Sequence, residues 1–253
     1  MSKTATYFIS DMHLGSRYIT NGKDIEIKLC NWLDSIKSDA KALYMLGDVL
    51  DYWYEYKHVV PKGFIRFFGK LAELADNGVK IYWFIGNHDI WLNDYFRKEI
   101  GIEIIDGEKI VEIDGKRFLL SHGDGIGYQS FGFRIIRSIF RNRICQCLYS
   151  AIHPRWTIPF AYSWSNHSRK TGTKSDEYDT TTKNALLSYR RFANEYNDLH
   201  PDAKIDYFVF GHLHTLLDEE LKNGARLIVL GDWIKLFSFA KYSYGNFTID
   251  TIK

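Results

Sequence analysis

Six short apolar runs recur along the chain, each closed by Gly or Ser and then by polar residues. They are TYFIS before Asp11, ALYMLG before Asp48, KIYWFIG before Asn87, RFLLS before His122, DYFVFG before His212 and RLIVLG before Asp232. Near-continuous apolar runs of this length predict strands buried on both faces. Helix-like stretches at 24–38 and 64–78 separate the first three, and Asn77-Gly78 supplies a stop for the second. Residues 109–123, KIVEIDGKRFLLSHG, predict a hairpin turned at Asp114-Gly115. The pattern is that of a layered α/β (α+β) chain whose polar residues collect where strands end. In open α/β sheets that edge is where ligands bind.

Composition changes this picture little. The chain has 253 residues, 45% hydrophobic and 16% aromatic, enough for a sizeable core, and we read 1–253 as a single domain. A net charge of +2 gives no overall signal for a polyanionic partner. Cys30, Cys145 and Cys147 make neither a disulfide framework nor a thiolate metal site. No apolar run approaches the roughly 18–20 residues of a membrane span. The first strand starts almost at the N-terminus, so the expectation is a cytoplasmic protein.

The strand ends carry the chemistry. In order they read Asp11-x-His13, Gly47-Asp48-x-x-Asp51, Gly86-Asn87-His88-Asp89, His122-Gly123-Asp124 and Gly211-His212-x-His214. Along an extended chain residues i and i+2 point to one side, so Asp11 and His13 aim at the same spot. Carboxylate, imidazole and amide donors without thiolate suit Mn²⁺, Fe or Zn²⁺ better than an all-oxygen Ca²⁺ or Mg²⁺ cage. Taken singly, each block has a plainer reading as a cap, a loop start, a turn or a solvated histidine pair. Taken together, that many ionisable groups buried without a counter-charge would cost several kcal/mol per ion. The candidate ligands are too many for one open-sited ion and fit two ions that share a carboxylate.

This ordered set resembles the calcineurin-like metallophosphoesterase superfamily. The resemblance implies a four-layer α/β/β/α sandwich with two metals at the strand ends. One metal would take Asp11, His13 and His214; the other would take Asn87, His122 and His212, with Asp48 bridging. Two ions about 3.5–4 Å apart clamp a phosphoryl group and lower the pKa of bound water from about 15.7 towards about 7, so that hydroxide attacks phosphorus in line with the leaving oxygen. His88 resembles the histidine that contacts phosphate or protonates the leaving group, and Asp51 its orienting carboxylate.

The substrate must be read from residues 125–175, which look like an inserted lid. They hold no acidic residue against eight basic ones: Arg134, Arg137, Arg141, Arg143, Arg155, Arg169, Lys170 and Lys174. Residues 131–152 place Phe133, Ile136, Phe140, Ile144 and Cys147 at helical spacing, with Arg134, Arg137 and Arg141 as a separate stripe. A basic amphipathic helix of this kind predicts binding to a membrane surface. An apolar and basic lid over the site also suits a substrate with acyl chains and phosphates.

The combination resembles the UDP-2,3-diacylglucosamine pyrophosphatase (hydrolase) branch of lipid A biosynthesis. That resemblance implies hydrolysis of an acylated UDP-sugar to UMP and 2,3-diacylglucosamine 1-phosphate, on the inner membrane's cytoplasmic face, with Mn²⁺ as the expected metal. It assigns Asn87, His88, Asp124, Asn166 and Arg169 to substrate, and Phe133, Ile136 and Phe140 to its acyl region. Two residues depart from that branch: His88 stands where its better-known members have Arg, and Asp51 where they often have Glu. Competing readings are a phosphoesterase acting on a nucleotide, another phospholipid or a phosphoprotein, and a non-catalytic membrane-binding scaffold. Nucleic acid is not expected, since the basic stripe is interleaved with aliphatics and offers no stacking platform.

Overall fold

The computed structural model describes residues 3–127, 131–172 and 175–252; the side chains of residues 131, 133, 134, 164–172 and 175–179 lie outside the description. In chain order the first half comprises β1 (Ala5–Ile9), α1 (Gly22–Ile36), β2 (Ala40–Met45), α2 (Ile65–Asp76), β3 (Lys80–Phe84), α3 (Tyr95–Glu99), β4 (Glu103–Ile105), β5 (Glu108–Ile113) and β6 (Lys116–Ser121). The helices α4 (Phe131–Arg141), α5 (Arg143–Ser150), α6 (Pro154–Gly172) and α7 (Ser175–Leu199) follow. The chain closes with β7 (Tyr207–Phe210), β8 (Leu216–Glu220), β9 (Arg226–Leu230), β10 (Ser238–Ser243) and β11 (Asn246–Thr251).

All six apolar runs are strands, and they divide between two sheets. β1, β2, β3 and β4 run parallel in a six-stranded sheet of order β11-β10-β1-β2-β3-β4. β6, β7 and β9 run parallel in a five-stranded sheet of order β5-β6-β7-β9-β8. Alternation decides which side chain faces which layer. Tyr7, Ile9, Leu43, Met45, Ile81 and Trp83 face α1 and α2 in one apolar cluster. Phe8, Ala42, Tyr44 and Phe84 face Phe118, Leu120, Val209 and Ile228 of the other sheet. Leu119, Phe208, Phe210 and Val229 pack on Tyr189 and Ala193 of α7. The result is the expected four-layer α/β/β/α sandwich. The β5–β6 hairpin turns where the sequence places it, with Asp114 at φ 49° and Gly115 at φ 76°.

The segment after β6 departs from expectation at Asn142. Residues 131–152 do not form one helix; the chain breaks at Asn142, whose side-chain oxygen accepts from the amides of Ile144 (2.9 Å) and Cys145 (3.2 Å). Apolar periodicity runs through the break because the cap, not the hydrophobic spacing, restarts the helix. Among the described residues no helix is long and apolar enough to cross a membrane.

An in-register aromatic stack joins the sheets. Tyr82 stacks on Tyr44 (4.5 Å), Tyr44 on Phe8 (5.4 Å), Phe8 across the gap on Phe118 (5.9 Å), and Phe118 on Tyr207 (4.5 Å). Phe118, on the far side of the gap from Phe8, is fully buried. Phe118→Ala is therefore expected to cost about 3–5 kcal/mol, read as a lower urea midpoint with an unchanged slope. A loss below about 1 kcal/mol would show that the stack contributes little to holding the sheets together.

Candidate metal centre

The strand ends converge because β1, β2 and β3 of one sheet and β6 and β7 of the other finish at the same edge. The loops after β1 and β2 are zipped together: His13 N–H donates to Asp48 O (2.9 Å), Leu14 N–H to Val49 O (2.9 Å) and Asp51 N–H to Leu14 O (3.0 Å). Convergence this close needs missing side chains. A Cβ on Gly86 would lie 2.2 Å from Asp48 Oδ1, and one on Gly211 would lie 1.9 Å from Ser10 Oγ. Asp11 (φ 56°), His13 (φ 44°), Asp48 (φ 51°), His212 (φ 71°) and His214 (φ 50°) all adopt left-handed backbone. Such conformations cost of order 1–3 kcal/mol each in non-glycine residues and gather at functional sites.

Among the described residues three three-residue groups form; one, His13, Asp51 and His88, shares His13 with another, and the remaining two consist wholly of expected ligands. Asp11, His13 and His214 offer ligand atoms within 4.8 Å of one another, and so do Asp48, His122 and His212. His13 Nε2 lies 3.3 Å from His214 Nε2 and 3.8 Å from Asp11 Oδ1. Asp48 Oδ2 lies 3.6 Å from His13 Nε2 and 3.5 Å from His122 Nε2, between the two groups. Asn87 Oδ1 joins the second group at 3.1 Å from His122 Nε2. The structure thus brings together all seven residues that the sequence offers as ligands.

Neighbours fix these side chains. His122 Nδ1–H donates to the Leu46 carbonyl (2.8 Å), which assigns its tautomer and turns Nε2 inward. His214 Nδ1 lies 3.3 Å from Asp232 Oδ2. Asp11 Oδ2 accepts from Ser10 Oγ (2.6 Å) and the His212 amide (2.8 Å), and Asp48 Oδ1 accepts from the His88 amide (2.8 Å). Asp89 ties the Gly86–Asp89 turn down, accepting from Gly86 N–H (2.8 Å), Val49 N–H (2.9 Å) and Trp83 Nε1–H (2.9 Å).

The donor set fits divalent cations. Asp11 Oδ1 is buried without a hydrogen-bond partner, although His13 Nε2 and His214 Nε2 (3.6 Å) face it. Two imidazole nitrogens pointing at each other beside an unpartnered carboxylate oxygen describe a place for a cation. Electrostatics agree. Burial would raise the Asp48 carboxyl, but the facing rings of His122, His88 and His13 hold it well below the usual carboxylate range. Burial opposes protonation of His122, and Asp48 overrides it, raising that imidazole well above its ordinary value. Burial and then the His122 charge push His212 down to about 3. Burial pushes Asp11 up. The fold and these groups imply divalent metals.

His88 and Asp51 stand beside the first group. Asp51 Oδ1 lies 3.5 Å from His13 Nδ1 and 3.6 Å from His88 Nδ1, so one buried carboxylate faces both rings. Asp124 pairs with Arg137 of α4 (3.2 Å), and Arg141 pairs with Asp106. Two of the three stripe arginines therefore turn back to the body. Ile136 is exposed on α4, while Phe140 is half-buried against Trp91 (5.3 Å). Asn166 and Arg169 sit on α6 and Phe133 and Arg134 on α4, with side chains outside the described residues. Sequence reasoning missed Asp232 and Ser10 as supports. Asp232 had a signal, since it follows a strand and a glycine as Asp48 does. Ser10 had only its place beside Asp11.

The sequence model of the calcineurin-like phosphoesterase family matches residues 5–216. A UDP-2,3-diacylglucosamine hydrolase from Porphyromonas gingivalis is 40% identical over 264 residues, covering 99% of this chain and 98% of its own. Proteins of the same name from Ectopseudomonas mendocina (30% identity, 89% of this chain and 88% of its own) and Edwardsiella ictaluri (30%, 90% and 85%) are also similar. With the match spanning both candidate metal groups, the chain belongs to the calcineurin-like phosphoesterase family.

Proposed function

We propose that the chain hydrolyses the pyrophosphate of UDP-2,3-diacylglucosamine to UMP and 2,3-diacylglucosamine 1-phosphate. The observation that carries the reaction type is the meeting of two histidine–carboxylate groups at Asp48 Oδ2. The names of the full-length relatives select the substrate. In this reading Asp11, His13 and His214 hold one cation, Asn87, His122 and His212 the other, and Asp48 both. Mn²⁺ is the cation we assign, and Fe and Zn²⁺ suit the same donors. Bound there, two divalent cations supply Lewis-acid charge and an activated water.

The protein's own groups do the rest. The Asp51 backbone carbonyl (3.3 Å) holds the Nδ1 edge of His88, with the Asp51 carboxylate at 3.6 Å, leaving Nε2 for a phosphate oxygen or the departing oxygen. Asn87 and His88 sit at the turn that meets the attacked phosphate. Asp124 anchors α4 through Arg137, and Asn166 and Arg169 on α6 serve the sugar and phosphate region. Phe133, Ile136 and Phe140 belong to the acyl side of the lid. That side continues outward as exposed Ile139, Ile144, Leu148, Ile152, Trp156 and Phe160, with exposed Arg143 and Arg155 among them. Such a surface suits an anionic membrane, where each basic residue adds roughly 1 kcal/mol.

UMP release from UDP-2,3-diacylglucosamine in detergent with Mn²⁺ should far exceed hydrolysis of bis-p-nitrophenyl phosphate and stop on chelation. Turnover of the generic ester alone would sink the substrate assignment. Asp48→Ala should lose both metals by elemental analysis together with activity; full activity in a metal-replete variant would remove the two-metal reading. Asp232→Asn should weaken metal binding about 10–100-fold, with the cation beside His214 lost first on titrating a chelator. Equal affinity to the parent protein would make Asp232 a loop support only. Ile144→Ser combined with Leu148→Ser and Trp156→Ser should lower co-sedimentation with anionic vesicles, and unchanged co-sedimentation would count against the membrane face.

A further inference from the structure

We infer that Arg17 is a substrate-binding residue whose guanidinium holds the phosphate that is not attacked, at the mouth between the His13 loop and α6. The inference rests on the pyrophosphate reading of the site. Such a substrate brings two phosphates, and the candidate ligands converge on one centre. The second phosphate gains charge as its oxygen departs, and a fixed cation aimed at it lowers the barrier.

Arg17 is placed for that. Ser16 N–H donates to His13 O (3.1 Å), so the chain turns directly after the zipped ligand loop and presents Arg17 next. Its guanidinium carbon lies 4.9 Å from the ring centroid of Tyr162 on α6. Tyr162 is itself held: Tyr52 packs on it edge-on (5.6 Å, 60°), and a Cβ on Gly15 would lie 3.4 Å from its hydroxyl. Burial raises the Tyr162 phenol and the nearby Asp51 carboxylate adds to this. Because Tyr52, which packs on this ring, follows Asp51 directly, the ring stands beside the loop whose carboxylate faces His13 and His88.

The kind of contact matters. Arg137, Arg141, Arg190 and Arg226 each pair with a carboxylate. Among the described residues Arg17 pairs with none, and it is exposed. Stacking on an aromatic ring engages the face of the guanidinium and leaves its N–H edge for a planar or tetrahedral anion. A phosphate oxygen pair is the matching acceptor. Asn166 and Arg169 lie four and seven residues beyond Tyr162, on the same face of α6 by position. The face that braces Arg17 thus continues to the positions assigned to the sugar and phosphate.

The test uses full-length Mn²⁺-loaded protein, with UDP and UMP as competitive inhibitors of bis-p-nitrophenyl phosphate hydrolysis. The parent protein should bind UDP at least tenfold more tightly than UMP, and Arg17→Gln should erase that preference. Arg17→Lys should keep part of it, since the charge remains while the paired N–H edge is lost. With UDP-2,3-diacylglucosamine, Arg17→Gln should lower kcat/KM at least tenfold more than with the diester. Equal losses on both substrates would make Arg17 a structural latch, and a UDP preference that is absent in the parent or intact in Arg17→Gln would also overturn the inference. A parent protein that cleaves the diester and leaves the lipid substrate untouched would refute the proposed function instead, with the UDP and UMP comparison still deciding on Arg17.

Discussion

Everything at the strand ends is organised by a carboxylate that cannot stand alone. Asp48 is buried, one oxygen taken by the His88 amide and the other between the rings of His13 and His122. Without opposite charge around it, a carboxylate so placed would be protonated. The loop from β2 can therefore keep its path only if histidines from both sheets close on it. That demand explains the glycines at the loop starts and the left-handed backbone of Asp48 and four of its neighbours. Strain that would destabilise an ordinary turn is tolerated because the turn concentrates ligands.

The α4–α6 segment presents two unlike sides. Its inner side is tied to the body by polar contacts: Arg137 to Asp124, Tyr54 Oη–H to Gln146 O (2.6 Å), Trp91 Nε1–H to Phe140 O (2.8 Å) and Tyr56 to Thr157. Its outer side carries the large exposed apolar residues of α4, α5 and α6. Tyrosines suit the seam because each offers a packing ring and a hydroxyl that finds a partner. The segment that supplies these rings, Tyr52 to Tyr56, follows Asp51 directly, so α5 and α6 are footed on the same loop that contacts His88.

Much of this was legible in the sequence, and the reasons for the rest are specific. The buried parallel strands announced themselves as continuous apolar runs, and the five blocks behind them followed in order. β8 and β10 were not read because antiparallel strands with one covered face alternate rather than run continuously, as in their half-buried patterns. The break at Asn142 was hidden because the apolar spacing of 131–152 passes through it. The pairing of Arg137 and Arg141 was hidden because the carboxylates that claim them come from Asp124 and Asp106, which periodicity cannot bring near. Asp232 shares the strand–glycine–aspartate grammar of Asp48 but caps the amides of Ile234, Lys235 and Leu236 as well as facing His214.

The aromatic stack between the sheets has a consequence for the chemistry. Asp11, Asp48 and Asn87 hang from one sheet, and His122, His212 and His214 from the other. Phe8 against Phe118 sets the spacing between those two walls, and therefore the span that any cation gripped from both must bridge. Binding and folding are then linked quantities: whatever free energy a cation gains from both walls also opposes their separation. The sandwich works as a calliper, with its jaws at the catalytic edge and its gauge block made of rings.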